Sequence, residues 1–287
     1  MLLKGLEMED KKRIQGSIFF GRAFKMAALV LLLCFPVNAF ADSAVTNQKK
    51  RDVPSQSLAG LLKDLNSPDP STASNAISEL KTVKINPQDA LPALIAALGN
   101  QSEFVRLGVI NAIADFGHEG LPALQALKGA LKDKDPLVRE SAALAIMGLG
   151  VAAKKSIPDL AGLLNDGSKK TRDAAVTALA GFGADSVPVL IKSLESGSPL
   201  VSKSAAEALA RIGAPAVDQL VSSLKKGGIT AENASFALAA IGKPAVAPLI
   251  RLLKDANPEV SRIAGDTLAA MGAIATPGLV DALRSRN

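Results

Sequence analysis

Few residues in this chain have the type and spacing that chemistry requires. Its single histidine, His118, stands between Gly117 and Glu119. One imidazole and one adjacent carboxylate fall short of the ligands a two-metal centre needs. No Ser/His/Asp triad can be argued from one loop histidine. The single cysteine, Cys34, lies near the N-terminus in an apolar run. Gly227-Gly228 is no phosphate loop, because no strand pattern precedes it and no G-K-[ST] follows. No catalytic, cofactor-binding or metal-ligating residue is therefore assigned. The remaining chemistry is that of charged surface groups, above all Arg106, Arg139 and Arg172.

The elements that position these groups follow from a repeat. The stretch Val187–Gly213, VPVLIKSLESGSPLVSKSAAEALARIG, has counterparts in Leu91–Gly117 and Val246–Gly272. Leu91 to Leu121, Ile157 to Val187 and Val187 to Val217 are each 30 residues apart. A fixed period in this range marks stacked supersecondary units. In the first half of a unit, Leu190 and Leu194 recur at i, i+4, as do Leu94 and Leu98, which places them on one helical face. Pro92, Pro122, Pro158, Pro188 and Pro277 stand second in their units, where N1 tolerates the missing N–H. The second half opens at Asp69-Pro70, Asp135-Pro136, Ser198-Pro199 or Asn257-Pro258, an N-cap oxygen followed by Pro. It closes at Gly117, Gly150, Gly183, Gly213, Gly242 or Gly272, which accept positive φ. Leu80, Ile113, Ile146, Leu179, Leu209, Leu238 and Leu268 share one position, expected to be buried. The unit is an αα-hairpin, and the chain from residue 58 holds seven of them plus a half.

These units resemble HEAT repeats of the short variety named after phycobilisome lyases. The resemblance covers residues 58–287. It rests on second helices of the form V-R-x-x-A-A-x-A-L-x-x-x-G, best kept in Val138, Arg139, Ala142, Ala143 and Gly150. It implies an all-α fold, an α-solenoid of stacked antiparallel helix pairs with the second helices on a concave face. Two enzyme families carry similar repeats and set the alternative reading. Deoxyhypusine hydroxylase binds two irons through several His-Glu pairs, whereas His118-Glu119 is the one such pair here. Bilin lyases act on a chromophore through no motif readable in this chain.

Composition agrees with thin stacked units: 48% of residues are hydrophobic but only 3% aromatic, with no Trp or Tyr. Residues 1–41 read as a signal peptide. Lys11, Lys12, Arg13, Arg22 and Lys25 precede an apolar run over 26–37, and Ala39-Phe40-Ala41 follows. That run is shorter than the roughly 20 residues a membrane span needs. The expectation is export to the bacterial periplasm, with no stable membrane span once the leader is cleaved. Cleavage would remove Cys34, so no disulfide framework is expected. Of 33 basic and 27 acidic residues, the leader holds six and three, so the net charge drops from +6 to +3. Such mild charge does not call for a nucleic-acid partner. Residues 42–57 read as a flexible polar linker. The first unit is polar at Ser71, Thr72, Ser74, Asn75 and Ser78, as a terminal cap should be.

The expected function is an exported, non-catalytic scaffold that binds a protein or extended peptide. Arg106, Arg139 and Arg172 occupy equivalent positions of three successive second helices, spaced about 10 Å apart. One reading makes them a basic ladder that attracts an acidic partner to the N-terminal half. In the other, each pairs with a turn carboxylate such as Asp133, Asp135 or Asp166 and ties neighbouring units together. Further candidate partner-binding residues are Asn111, Lys203, Glu207 and Arg211.

Overall fold

The computed structural model describes residues 57–67, 69–80 and 86–284. The signal-peptide expectation (1–41) and all of the linker except Ser57 lie outside these residues. Ser57 itself caps the first helix, its Oγ accepting from the Gly60 amide at 3.3 Å.

The described residues form fifteen α-helices and no strand. The odd-numbered helices are the first of each pair: α1 (Leu58–Asp64), α3 (Pro87–Ala97), α5 (Leu124–Ala130), α7 (Ile157–Gly162), α9 (Val187–Leu194), α11 (Val217–Leu224), α13 (Lys243–Leu252) and α15 (Thr276–Arg284). The even-numbered helices are the second: α2 (Pro70–Leu80), α4 (Glu103–Asp115), α6 (Pro136–Gly148), α8 (Lys169–Gly181), α10 (Pro199–Ile212), α12 (Gly228–Ile241) and α14 (Pro258–Met271). Each even helix from α4 to α12 packs on the even helices before and after it, α2 and α14 pack on one such neighbour, and all pack on their own odd partner. This is the α-solenoid expected from the period, seven pairs and a half.

The closing glycines do what the sequence requires of them. Gly213 and Gly242 end α10 and α12 at φ +78° and +77°, a region closed to most L-residues. All six closing glycines have positive φ, and most lead into a short 3-10 turn before the next odd helix. Asp135 and Asn257 cap α6 and α14 through their side chains, and Asp69 accepts from the Ser71 and Thr72 amides.

Two local expectations need correction. Ser198 makes no side-chain cap on α10. Its Oγ turns instead toward Asn165 Oδ1 of the preceding unit at 3.5 Å. Pro92 is not at the start of α3, because Asn86 caps the helix earlier and Pro87 takes the N-terminal position. Pro122 falls within a 3-10 segment, Gly117–Ala123, ahead of α5. Pro158 and Pro188 do sit at the start of α7 and α9.

The core is one seam of Leu, Ile, Val and Ala running through the described residues. Ala142, Ala143, Ala175, Ala205, Ala206, Ala234 and Ala237 are all at most 1% exposed, letting second helices approach closely. Leu209 and its counterparts Ile113, Ile146, Leu179 and Leu238 are fully buried; Leu80 and Leu268 are nearly so. At the N-terminal end Ser71, Ser74, Asn75 and Ser78 face outward, as the cap reading requires.

Leu209→Ala is expected to lower the unfolding free energy by about 2–5 kcal/mol, measured by denaturant titration. Because each unit is held only by its neighbours, amide exchange in α9 and α12 should accelerate before that in α3. An unchanged midpoint would contradict the assigned register.

Candidate functional site

Apart from the Gly227 turn between α11 and α12, the turns joining the two helices of a unit share one construction. A short polar side chain accepts from the amide two residues on: Asn100 from Ser102, Asp133 from Asp135, Asp166 from Ser168, Ser196 from Ser198 and Asp255 from Asn257. Six residues after the first three of these stand Arg106, Arg139 and Arg172.

Arg106 is 5% exposed. Its Nη1 donates to the carbonyls of Asn100 and Gln101 at 2.8 and 3.0 Å, inside its own turn. Its Nε and Nη2 grip Asp133 of the next turn at 2.7 and 2.9 Å. Arg139 repeats this: Nη1 to the Asp133 and Lys134 carbonyls, Nε and Nη2 to Asp166 at 2.7 and 2.8 Å. Of the two readings open for the ladder, these two arginines are struts between units, not a basic surface. Asp135 takes no part, since it caps α6. Both grips are bidentate, the arrangement that a planar fork and a carboxylate favour.

Electrostatics follow the geometry. Burial works against the charge on Asp133, yet hydrogen bonds from Arg106 and the Asp135 amide outweigh it and hold its carboxyl below the ordinary 3.8. The Arg139 hydrogen bonds depress Asp166 in the same way, against its burial. Hydrogen bonding to Asp166 correspondingly raises Arg139.

Arg172 begins the same pattern, with Nη1 donating to the Asp166 and Gly167 carbonyls at 2.7 and 3.1 Å. The next turn carries Ser196 in place of Asp, and the ladder stops there. In later units Ser202 and Ser261 replace the arginine and bond backbone carbonyls of nearby residues.

The other sequence candidates lie on the outward side of the second helices. Asn111 and Lys203 are exposed. Arg211 donates to Glu207 Oε1 at 2.6 Å and to Thr177 Oγ1 of α8 at 3.0 Å, so it links adjacent helices at the surface. One feature escaped sequence reasoning. The second residue of each even helix from α4 to α12 forms a row: Phe104, Leu137, Lys170, Leu200 and Ile229. Phe104 is 70% exposed and Ile229 59%; Leu137 and Leu200 are also exposed. Leu144 and Phe236 extend the apolar surface farther along α6 and α12. The signal was a large apolar residue straight after the helix-opening position, where a solvated unit would carry a polar one.

His118 and Glu119 are exposed in the 3-10 segment ahead of α5. Among the described residues no group of three or more His, Cys, Asp and Glu side chains converges. No single described helix is long and apolar enough to cross a membrane.

A family described as HEAT repeats matches residues 58–147 and 157–229. Among solved structures, the chain is similar to computationally designed armadillo repeat proteins for modular peptide recognition (25% identity, 75% of this chain, 100% of that one, TM-score 0.42). It is similar to the complex of CpcE and CpcF of phycocyanin lyase from Nostoc (22%, 86% and 100%, TM-score 0.43). It also resembles the karyopherin Kap121p bound to Nup53p at 14% identity, covering 80% of this chain but only 30% of that one, with a TM-score of 0.56. That last likeness shows the fold alone. No curated protein matches the sequence.

Two outcomes test the struts. Arg106→Gln removes one partner of a nearly buried pair and should cost about 3 kcal/mol in denaturant unfolding. Because the folded pKa values of Asp133 and Asp166 are depressed, their contribution is complete above the unfolded value. It is lost only as pH falls below 3.8 toward the folded values. The melting temperature should therefore decline below that pH, and less steeply in the Asp133→Asn, Asp166→Asn double variant.

Proposed function

The chain belongs to the HEAT-repeat family, and we propose that it is an exported, non-catalytic scaffold binding an extended protein segment across its second helices. Repeat arrays of this kind present long binding surfaces because buried positions are set by stacking and only exposed ones are free to specialise. One observation carries the reading: Phe104 and Leu137 on α4 and α6, and Leu200 and Ile229 on α10 and α12, expose apolar side chains at one register position, with Lys170 of α8 between the two pairs. Single exposed apolar residues need no explanation, but their recurrence at one register position in four units supports an interaction surface. A row with one residue per unit suits a partner lying across the helices.

A photocrosslinking residue placed at position 137 or 200 should capture the same partner, with both crosslinks falling in one continuous segment. The same residue at exposed Lys192, on the first-helix side, should capture it far less. Equal capture from all three positions would overturn the assignment of the face.

The periplasmic location is a separate proposal, supported by the basic leader, the apolar run over 26–37 and Ala39-Phe40-Ala41. The protein isolated from cells should begin at Asp42 and fractionate with the periplasm. Intact mass that includes residues 1–41 in the cytosol would end that proposal.

A further inference from the structure

Arg172 is placed like the two struts before it and lacks what they hold. Its Nη1 is anchored on the Asp166 and Gly167 carbonyls, as Arg106 and Arg139 are anchored on theirs. Where Asp133 and Asp166 stand in the turns that Arg106 and Arg139 reach, the following turn reads Ser196-Gly197-Ser198. Ser196 Oγ already accepts from the Ser198 amide at 3.2 Å. Asp166 is taken by Arg139, and Glu195, beside Ser196, by Lys226. Among the described residues, Nε and Nη2 of Arg172 make no hydrogen bond and no ion pair. The guanidinium is half-buried and fixed at one edge, so little conformational freedom remains to be lost when the other edge is filled.

The surroundings set the chemistry of what would fill it. Lys170 is exposed two residues before Arg172, and Lys169 beside it is engaged by Asp173 at 2.6 Å. In the row of second-helix residues, Lys170 is the cationic break between Phe104 and Leu137 on one side and Leu200 and Ile229 on the other. Charge at the centre with apolar contacts either side describes a complementary ligand: acidic in the middle and apolar at its flanks. Neighbouring helices lie about 10 Å apart and an extended chain advances about 3.3 Å per residue. One ligand side chain in about every three would then meet each unit.

We propose that Arg172 receives the carboxylate of an aspartate or glutamate in an extended partner segment, in the place that Asp133 and Asp166 hold for Arg106 and Arg139. The partner supplies the missing rung of the ladder, and its apolar residues lie against Leu137 and Leu200. This rests on the scaffold reading above and gives it a specific contact. The two internal rungs show that this fork, so anchored, takes two carboxylate oxygens in its plane.

Ser196→Asp and Arg172→Gln test the proposal from opposite sides. Ser196→Asp offers the fork a carboxylate from the chain itself. It should raise the melting temperature of the full-length protein, and the rise should vanish when Arg172→Gln is added. The binding probes are two fluorescein-labelled synthetic peptides with leucines three residues before and after a central Glu in one, Gln in the other. The unsubstituted protein should bind the Glu peptide about tenfold more tightly, a difference of about 1.4 kcal/mol. That preference should disappear in both single variants. If both peptides bind the unsubstituted protein equally, the carboxylate contact is wrong while the scaffold reading survives. If neither binds, both fall. If phosphatidylglycerol vesicles bind this face and the peptides do not, the occupant is a membrane surface and the proposal is overturned. An unchanged melting temperature in Ser196→Asp would show that the fork is not open to a carboxylate, and would likewise overturn it.

Discussion

Each second helix from α4 to α12 buries its apolar side against two neighbours of its own kind. The close approach comes from the small residues at the seam, with Ala142 and Ala143 on α6 and Ala205 and Ala206 on α10 almost wholly enclosed. Leucine and isoleucine fill the space between layers, and Leu209 with its counterparts occupies the same buried position along the array. A unit alone could not hide this surface, so stability is set by nearest-neighbour stacking. The absence of Trp and Tyr and the abundance of alanine accord with thin layers, in which Phe182 is the aromatic ring buried among the described residues.

Stacking leaves a polar problem at the turns, where backbone carbonyls beyond the helix ends need donors. Arg106 and Arg139 answer it by spending one nitrogen on two carbonyls of their own turn and two on the aspartate of the next. Each pair spans two repeats and fixes their relative position more specifically than apolar contact does. The same geometry withdraws these charges from the surface. What the array shows outward in those units is instead the apolar row at the second residue of each even helix. Arg172 lies where the two roles meet, anchored like a strut but with its fork unfilled.

Much of the architecture was legible in the sequence because it depends on local rules repeated many times. The period, the Leu pairs at i, i+4 and the closing glycines specified helix pairs, and each has a counterpart in the structure. The misreadings came where two local rules competed. Pro92 stands where the repeat pattern expects a helix start, but Asn86-Pro87 offers a better cap and starting proline five residues earlier. Ser198 has the residue type and place of a cap, yet its hydroxyl meets Asn165 across the stack, a long-range partner that no local pattern reveals. Residue spacing could place the arginines on equivalent positions but could not say whether they pair internally. That depended on Asp133 and Asp166 arriving from the following unit, and on Ser196 failing to do so.

The arginine–aspartate rungs join adjacent repeats energetically, through side chains that reach from one turn to the next. A double-mutant cycle on Arg139 and Asp166 measures this directly, using Arg139→Gln, Asp166→Asn and their combination in denaturant titrations. The account predicts a coupling energy of about 1–3 kcal/mol between the two side chains. Additive effects, with coupling indistinguishable from zero, would contradict it.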